Sequence, residues 1–555
     1  MGNFIPTFSV ISTSRPQKRS LPVARLEESP VRNGSFCVRK RIRSTYDYVY
    51  RELFCKGEGS DLTVKSLDQT WRLHRLYVKQ SPFFAAMLEG GWKESDSSTI
   101  ELELSDPNIN SSSLNTVFGS FYHDNILISE STVLSLLAAA TWFHMDDIRQ
   151  LCSKFMRQRI RIRNVVEFYH AAKLYNLPDL AKRSVRWLAD HLLLLEESEK
   201  SYEFLRRIPV DLMCEVISKP DLIVVQLEQD VFLLLLKWVF LQNHPDYIYQ
   251  PSSHLLEDAY AFFTSSESTY LETLEGSIYV PAFRSIRWEH IVNVYKTTER
   301  MLRDRIVPEA WLCNVFSRQW LRMLHAHDLQ TRCARARLTS STDELSISSH
   351  RPSTATYTNE PSEESGPIGL LTGEPGPRGD LAEEVFWTTS ERCGRRMLTG
   401  DTTCSWRWTG YHFGIDIVIK YKRRAFSVIR FTESTSTEGA VTRAPRVHLL
   451  IAMRVKSVES DSYPGGNEFH GENVEADCPL DAVNDLSDAV ESDEDESDCV
   501  STNGMLSLKL EENSVHEILR VPDNFVFPAV VSANLLRYDP IGWSSPLLPA
   551  SSKIL

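Results

Sequence analysis

The sequence predicts a multidomain α+β protein, because the spacing of apolar residues changes twice along the chain. Between Asp61 and Cys152, strand-like alternation of apolar and polar residues gives way to helical spacing. This change predicts an α/β domain in which helices cover a small sheet. Residues 161–327 have helical spacing throughout and predict an all-α domain. Residues 385–545 alternate again and predict a β-rich C-terminal domain. At 555 residues the chain is too long for one core.

The first unit, residues 45–160, is predicted to begin with a short amphipathic helix from Thr45 to Phe54. Ser129 is a predicted cap for a helix from Val133 to Ala140. Three short strands are predicted because apolar and polar residues alternate in Leu62–Val64, Trp71–Leu73 and Ile100–Leu104.

The helical domain is predicted to start at Asn164, which can cap the helix that follows. A strongly apolar helix is predicted from Val231 to Val239. Antiparallel helix pairs joined by short loops are the natural packing for such a series.

Three polar segments separate or interrupt these domains and are predicted to be disordered. They are residues 1–44, a linker at 328–384, and an insert at 457–500 that ends in the acidic tract Asp493–Glu496. The N-terminal segment ends in a basic run, Arg39, Lys40, Arg41 and Arg43, which is typical of a nuclear localisation signal or of a plain solvated patch. Lipidation at Gly2 stays open, because Pro6 stands where the motif requires Ser or Thr.

Composition argues against several function classes. The net charge of −13 is unfavourable for direct nucleic-acid binding by the whole chain. The ten cysteines form no Cys-x-x-Cys pair and no zinc-like spacing with histidine, so we expect reduced thiols and no metal. There is no secretory signal, no apolar run long enough for a transmembrane segment, no phosphate-binding glycine loop and no nucleophile–base spacing. We therefore expect a non-enzymatic nuclear or cytosolic protein that requires no cofactor.

The first unit resembles a BTB (POZ) domain. The resemblance rests on Asp61-Leu-Thr-Val64, Trp71-Arg-Leu-His74-Arg75, Ser81-Pro-Phe-Phe84, Phe118-Gly-Ser-Phe-Tyr122 and Leu136-Leu-Ala-Ala-Ala140, in that order. It implies an interaction module that forms homodimers and recruits partners. The segments Asn164–Ala172 and Asp221–Trp238 are similar to a BACK domain, the usual companion of BTB. No Kelch repeat of about 50 residues follows.

The later part of the chain is similar to the germ cell-less family. The residues concerned are Val307-Pro-Glu-Ala-Trp311, Arg392-Cys-Gly-Arg-Arg396 and Cys404-Ser-Trp-Arg-Trp408 with Gly410 to Asp416. This resemblance implies a non-catalytic adaptor of cullin-3 ubiquitin ligases that acts in the nucleus, at the nuclear envelope or matrix, and in germ-cell development. Its client is unknown, and nuclear envelope proteins are candidate partners. The alternative is a BTB-dimerised nuclear scaffold or transcriptional co-regulator without a ligase role.

The resemblance also implies two sites in the BTB-like unit. Met87, Trp92, Glu94 and Tyr122 are expected to bind cullin-3, Trp92 as an apolar anchor and Glu94 as a hydrogen-bond acceptor. Asp61 and Arg75 are expected to form a charge pair near the dimer interface, although an aspartate at the start of a strand is also typical of a backbone acceptor. We predict that His74 is a structural, hydrogen-bonded histidine.

A client-binding surface is predicted in the C-terminal domain. Arginine and tryptophan are enriched at binding hot spots, which favours Arg395, Arg396, Arg407 and Trp408, with Arg392 on the same polar side. Aromatic residues at alternating strand positions are equally typical of a packed core, so both interpretations stay open for Trp406, Trp408, Tyr411 and Phe413.

Overall fold

The computed structural model describes residues 48–92, 95–250, 254–265, 268–292, 295–321, 324, 377–400, 403–409, 416–431, 446–458, 499–511 and 514–538. The basic run at Arg39–Arg43, most of the predicted linker and nearly all of the acidic insert lie outside these residues. The predicted multidomain α+β class, with a β-rich C-terminal domain, is confirmed.

The first unit is a three-stranded sheet covered by helices. The central strand pairs antiparallel with its hairpin partner and parallel with the third strand, which gives the order β2-β1-β3. The strands are β1 (Leu62–Ser66), β2 (Gln69–Leu73) and β3 (Thr99–Glu101). The helices are α1 (Arg75–Val78), α2 (Pro82–Glu89), α3 (Ser111–Ser120), α4 (Val133–Trp142) and α5 (Asp146–Gln158).

Local details differ from the sequence predictions. The predicted N-terminal helix contains a π-helical turn at Tyr50–Cys55. Strand β3 stops at Glu101, although Leu102 and Leu104 still pack against the core. Helix α4 is preceded by Thr132 rather than by Ser129, whose backbone carbonyl accepts hydrogen bonds from the N–H groups of Thr132 and Val133.

The second unit is helical, as predicted. Asn164 stands at the N-cap, but its side chain bonds the backbone of Arg159 and Arg161 instead of the helix. The predicted apolar helix is α10, in which the buried Trp238 donates from Nε1 to the carbonyl of Ile208, 3.1 Å away. The series is α6 (Val165–Leu174), α7 (Pro178–His191), α8 (Glu199–Arg207), α9 (Val210–Ile217), α10 (Gln229–Asn243), α11 (Leu255–Thr264), α12 (Leu274–Ser277), α13 (Val280–Arg284), α14 (Tyr295–Asp304) and α15 (residues 309–321), with 3-10 turns at Leu192–Leu194, Tyr270–Glu272 and Trp288–His290.

One continuous apolar core joins the first unit to this helical domain. It includes Val64 and Phe118 of the first unit together with Tyr169, Leu212 and Trp238 of the helical domain. Because these residues belong to a single cluster, the two units are one packed body rather than two separately linked units.

The C-terminal domain begins with helix α16 (Pro377–Thr389), which starts inside the segment predicted as linker, and continues as two antiparallel sheets. One sheet has the order β10-β8-β12-β4, with β9 also paired to β8; the other has the order β11-β7-β6-β5. The strands are β4 (Glu391–Met397), β5 (Cys404–Thr409), β6 (Asp416–Lys422), β7 (Ala425–Phe431), β8 (Arg446–Ser457), β9 (Cys499–Ser501), β10 (Leu506–Glu511), β11 (Val515–Arg520) and β12 (Ala529–Tyr538).

The C-terminal domain packs directly on the helical domain. The segment before α10 reaches the edge of β4, where Leu227 forms a bridge with Cys393 and the Gly394 N–H donates to Gln226. A small apolar cluster spans the same boundary and contains Leu194, Ile223, Val458 and Val530. The two domains are therefore in contact, although a long linker separates them in sequence.

Candidate protein-interaction surfaces

Helix α2 and the turn that follows it present the first candidate surface. Pro82 occupies the first turn of the helix, and Phe84 and Leu88 are buried, so the opposite side faces outward. Trp92 is 65% exposed, and its indole lies against Gly90, where a Cβ would be 2.3 Å from Nε1. The residue predicted to anchor cullin-3 is therefore an exposed aromatic side chain in the turn that follows a well-packed helix.

The turn itself is fixed by Ser95. The Trp92 N–H donates to Ser95 Oγ at 3.0 Å, and that hydroxyl donates to the carbonyl of Met87 at 2.9 Å. Met87 is partly buried and lies two residues before the end of α2. Glu94 lies outside the described residues, so the structure brings together Met87 and Trp92 of the predicted set.

Tyr122 lies inside the first unit rather than on this surface. It is 4% exposed, and its hydroxyl accepts from the His74 N–H at 2.9 Å and lies 3.0 Å from His74 Nδ1. Burial raises the pKa of Tyr122 to about 12, so the hydroxyl stays protonated. This burial argues against the predicted direct contact with cullin-3. His74 also reaches the Glu58 carbonyl through Nε2 at 2.9 Å, which confirms its structural role.

Asp61 and Arg75 are joined differently from the predicted charge pair. Asp61 Oδ1 accepts a hydrogen bond from the backbone N–H of Arg75 at 2.8 Å. The Arg75 guanidinium instead donates to the carbonyls of Ser95, at 2.6 Å, and Ser97. Asp61 thus acts as the backbone acceptor that the sequence left as an alternative, and Arg75 ties β2 and α1 to the segment after Trp92.

The four predicted client-binding residues fall on two different sheets. Arg395 and Arg396 are exposed on β4, and Arg396 pairs at 3.4 Å with Glu196 of the helical domain. Arg407 and Trp408 belong to β5 of the other sheet, and their side chains lie outside the described residues. The structure therefore does not gather these four residues on one strand or sheet.

Trp406 supports the core interpretation of the aromatic run. It is partly buried, packs against the core of the C-terminal domain and stands edge-on to Phe426, with 6.2 Å between ring centroids. Tyr411 and Phe413 lie outside the described residues.

Arg392 is not on the polar surface where the sequence placed it. Its guanidinium is buried and bonds both oxygens of the buried Glu228, with Nε 2.7 Å from Oε2. Nη1 donates to the carbonyls of Ile217 at 3.0 Å and Lys219 at 3.1 Å. Among the described residues, these partners of the Arg392 side chain all belong to the helical domain, so Arg392 anchors one domain in the other.

A second arginine completes this buried group. The backbone N–H of Arg287 donates to Glu228 Oε1 at 3.0 Å. The Arg287 guanidinium donates to the carbonyls of Ser390 and Trp387 at 2.5 and 2.6 Å. Burial and the charge of Arg392 lower the pKa of Arg287 to about 9, which still leaves it charged at neutral pH. Burial alone would raise the pKa of Glu228, but the charges of Arg392 and Arg287 hold it below its ordinary value.

A parallel contact lies at the end of β8. Asp190 of α7 is buried and accepts from Arg454 and from Lys456, the latter at 2.6 Å, while Arg454 also lies 3.5 Å from Asp221. Burial opposes the charge on Asp190, yet these two cations lower its pKa. Sequence reasoning missed both groups, because the partners of Arg392 and Arg454 lie 164 and 264 residues away and an arginine in a strand is more typical of a solvent-facing position.

Within the ranges that the structure describes, no cluster of His, Cys, Asp and Glu has the geometry of a metal site. In the same residues, no helix combines the length and apolarity needed to cross a bilayer.

Comparison with known proteins matches residues 50–160 to the BTB/POZ domain and residues 165–255 to the BACK domain (BTB And C-terminal Kelch). Germ cell-less protein-like 1 of Mus musculus is 31% identical over 427 residues, which cover 76% of this chain and 72% of the relative. Germ cell-less protein-like 1 of Homo sapiens is 30% identical over 427 residues, with 76% and 73% covered. Protein germ cell-less of Drosophila melanogaster is 28% identical over 446 residues, with 76% and 70% covered.

Proposed function

Because this chain belongs to the germ cell-less family, we propose that it is a substrate-recruiting adaptor of a cullin-3 ubiquitin ligase. In this role the chain is a non-catalytic bridge: the BTB domain forms a homodimer and binds cullin-3, and the C-terminal domain binds a client. The observation that carries the proposal is the exposed Trp92 at the end of α2 in a BTB domain that continues into a BACK domain.

The chemistry of this surface suits a protein partner. A large exposed aromatic side chain beside a partly buried methionine gives an anchor that a complementary pocket can desolvate. Ser95 ties the backbone of Trp92 to that of Met87 through two hydrogen bonds, so the backbone at Trp92 has little freedom to lose on binding. Glu94 follows two residues later and supplies the hydrogen-bond acceptor of the proposed contact.

The packing of the domains suits a bridge. The BTB and BACK domains share one apolar core, and buried ion pairs attach the C-terminal domain to the BACK helices. A client bound to the C-terminal domain is therefore held at a defined distance from α2. We propose that the adaptor acts in the nucleus or at the nuclear envelope in germ-cell development, with Arg39, Lys40, Arg41 and Arg43 as the import signal.

The adaptor role is tested by replacing Trp92 with Ala and Glu94 with Lys in the full chain. This double variant removes the anchor and introduces a repulsive charge, so we expect cullin-3 to be lost from material purified from cells. The matched control is Leu174→Ala, since Leu174 is also 65% exposed but lies at the end of α6.

The melting temperature and the sedimentation of the double variant should equal those of the wild type, because Trp92 is exposed. If the folded double variant still recovers cullin-3, the adaptor role is wrong. The alternative, a dimeric nuclear scaffold or co-regulator without a ligase role, would then be favoured.

A further inference from the structure

Three loops meet at one end of the C-terminal domain. Tyr421 Oη donates to the carbonyl of Gly400 at 3.0 Å, which joins the β6–β7 hairpin to the segment after β4. Gly400 lies against Phe527 so closely that a Cβ would be 2.6 Å from the ring. Arg424 closes the group by donating to the carbonyl of Pro522 at 2.7 Å.

The hairpin turn at this end has an unusual sequence. Lys422 pairs with Ala425, so Arg423 and Arg424 are the two turn residues, and both have positive φ angles of 52° and 59°. Two-residue hairpin turns with this geometry favour Asn-Gly, because most side chains are strained there. Strained residues are more frequent at functional sites than elsewhere, which makes this turn a candidate for a functional role.

The two arginines have different surroundings. Arg424 turns inward, bonds Pro522, lies 3.6 Å from Asp523 and stands 6.0 Å from the Phe527 ring, so it holds the loops together. Arg423 and its neighbour Lys422 are exposed. Since Arg424 already fixes the loop, the strained Arg423 has a charge that remains available to a partner.

Two large aliphatic side chains accompany these cations. Leu398 is 74% exposed just after β4, and Val526 is 63% exposed beside Phe527. Met397 pairs with Ala529, and Gly400 contacts Phe527, so the loops that carry Leu398 and Val526 are neighbours. Because these loops also contact the β6–β7 hairpin, exposed aliphatic groups and exposed cations lie at the same end of the domain and give it both an apolar and an electrostatic component.

We propose that this basic apolar end, defined by Leu398, Lys422, Arg423 and Val526, is the client-binding surface and that it takes an acidic segment of the client carrying aliphatic residues. The inference rests on the proposed adaptor function and specifies its client site. The carboxylates of that segment face Lys422 and Arg423, and its aliphatic side chains cover Leu398 and Val526. Asp523 carries the opposing charge at this end, and it lies beside Arg424.

The chain itself contains another acidic segment, which follows Val458 in the sequence. Residues 459–498 contain many Asp and Glu residues and no Lys or Arg, and Val458 donates to Pro528 at 2.8 Å, next to Phe527. The experiment therefore has to separate a client segment from this insert, and it includes a chain without residues 459–498.

The test uses the full chain and a short fluorescein-labelled peptide in which Glu and Leu alternate, with fluorescence anisotropy as the readout. We expect the wild type to bind this peptide but not versions with Lys in place of Glu or Ser in place of Leu. Lys422→Glu with Arg423→Glu, and Leu398→Ser with Val526→Ser, should each weaken binding by about tenfold or more.

The matched controls carry the same changes at the other end of the domain. They are Lys509→Glu, on β10 opposite His448, and Val515→Ser, on β11 opposite Ile429. Both variants should bind the peptide like the wild type. The proposal would be overturned by an equal loss of binding in the controls or by unchanged binding in Lys422→Glu with Arg423→Glu. Binding that occurs only after residues 459–498 are removed would also overturn it. So would a failure of both the wild type and the shortened chain to bind.

Arg423→Asn separates binding from folding. Asparagine tolerates positive φ better than arginine, so the melting temperature should stay equal or rise while peptide affinity falls. A joint fall of both would show that Arg423 is structural. Because neither measurement involves cullin-3, the client surface can fail while the Trp92 test succeeds, and the reverse.

Discussion

At the residue scale, Glu228 and Arg392 form a buried ion pair between the helical and C-terminal domains. Both side chains are fully enclosed, and the carboxylate accepts from two Arg392 nitrogens and from the Arg287 backbone. Taking such charges out of water costs several kcal/mol each, and their mutual attraction with good hydrogen-bond geometry offsets that cost. The pair therefore favours the observed docking, because removing either partner would leave the other charge buried alone.

Replacing Arg392 with Met should destabilise the full chain by about 3–5 kcal/mol, since Glu228 stays buried without its main partner. The double variant Glu228→Gln with Arg392→Met should recover part of this loss, as a double-mutant cycle of denaturant unfolding would show. Arg395→Met, on the same strand but exposed, is the control and should change stability by less than about 0.5 kcal/mol. Additive single-variant effects would contradict direct coupling.

The same pair predicts a pH dependence. The pKa of Glu228 is lowered from its ordinary value of 4.5, so its ionised form stabilises the folded state above that pH. This contribution is lost as the pH falls below 4.5 and through the lower folded-state pKa. In Glu228→Gln that part of the acid sensitivity should be absent, and the slope of unfolding free energy against pH below 4.5 should be shallower than in the wild type.

At the element scale, β4 is completed by a segment of the helical domain. Its far side pairs with β12, while its other edge receives Gln226 and Leu227 from the segment before α10. Gly394 makes this approach possible, because a Cβ at this position would lie 1.8 Å from the carbonyl oxygen of Val224. The absence of a side chain is thus a packing requirement, and the edge of the sheet is covered rather than left open.

Gly394→Ala should therefore separate this edge from the helical domain and destabilise the chain by at least about 1–3 kcal/mol. Hydrogen exchange at the amide of residue 394 should become faster, since its bond to Gln226 is lost. Ser405→Ala, at an exposed position of β5, is the control and should behave like the wild type. If hydrogen exchange at the amide of residue 394 is as slow as in the wild type, the backbone accommodates the added methyl group without losing this contact.

Elements with strong periodicity were predictable from the sequence, and contacts between distant segments were not. The apolar run at Val231–Val239 lies within α10, and the alternation at Leu62 and Trp71 became the β1–β2 hairpin. Strand ends depended on pairing, so β3 stopped at Glu101 although the apolar pattern continues to Leu104. Trp92, which the family resemblance implies is an apolar anchor, is exposed, whereas burial of Arg392 depends on residues of another domain.

At the scale of the whole molecule, the long linker does not separate the domains in space. Ile223, Val224 and Glu228 of the helical domain are covered by the C-terminal domain, and Asp190 is covered by Arg454 and Lys456. The sequence predicted three units in a row, because composition marks a polar linker without showing which surfaces meet across it. The helical domain therefore has an apolar and charged face that the C-terminal domain normally occupies.

A chain that ends at residue 324 should expose this face. Ile223 would enter water and the Glu228 carboxylate would lose both hydrogen bonds from Arg392, so we expect a lower melting temperature and self-association in sedimentation. The same fragment with Ile223→Ser and Glu228→Gln should remain a simple dimer and recover cullin-3, but should not capture client in proximity labelling.

A chain without residues 459–498 is the control, since this deletion leaves the face covered. If the unmodified fragment melts like the full chain and does not associate further, the helical domain is complete by itself, and docking of the C-terminal domain adds no stability.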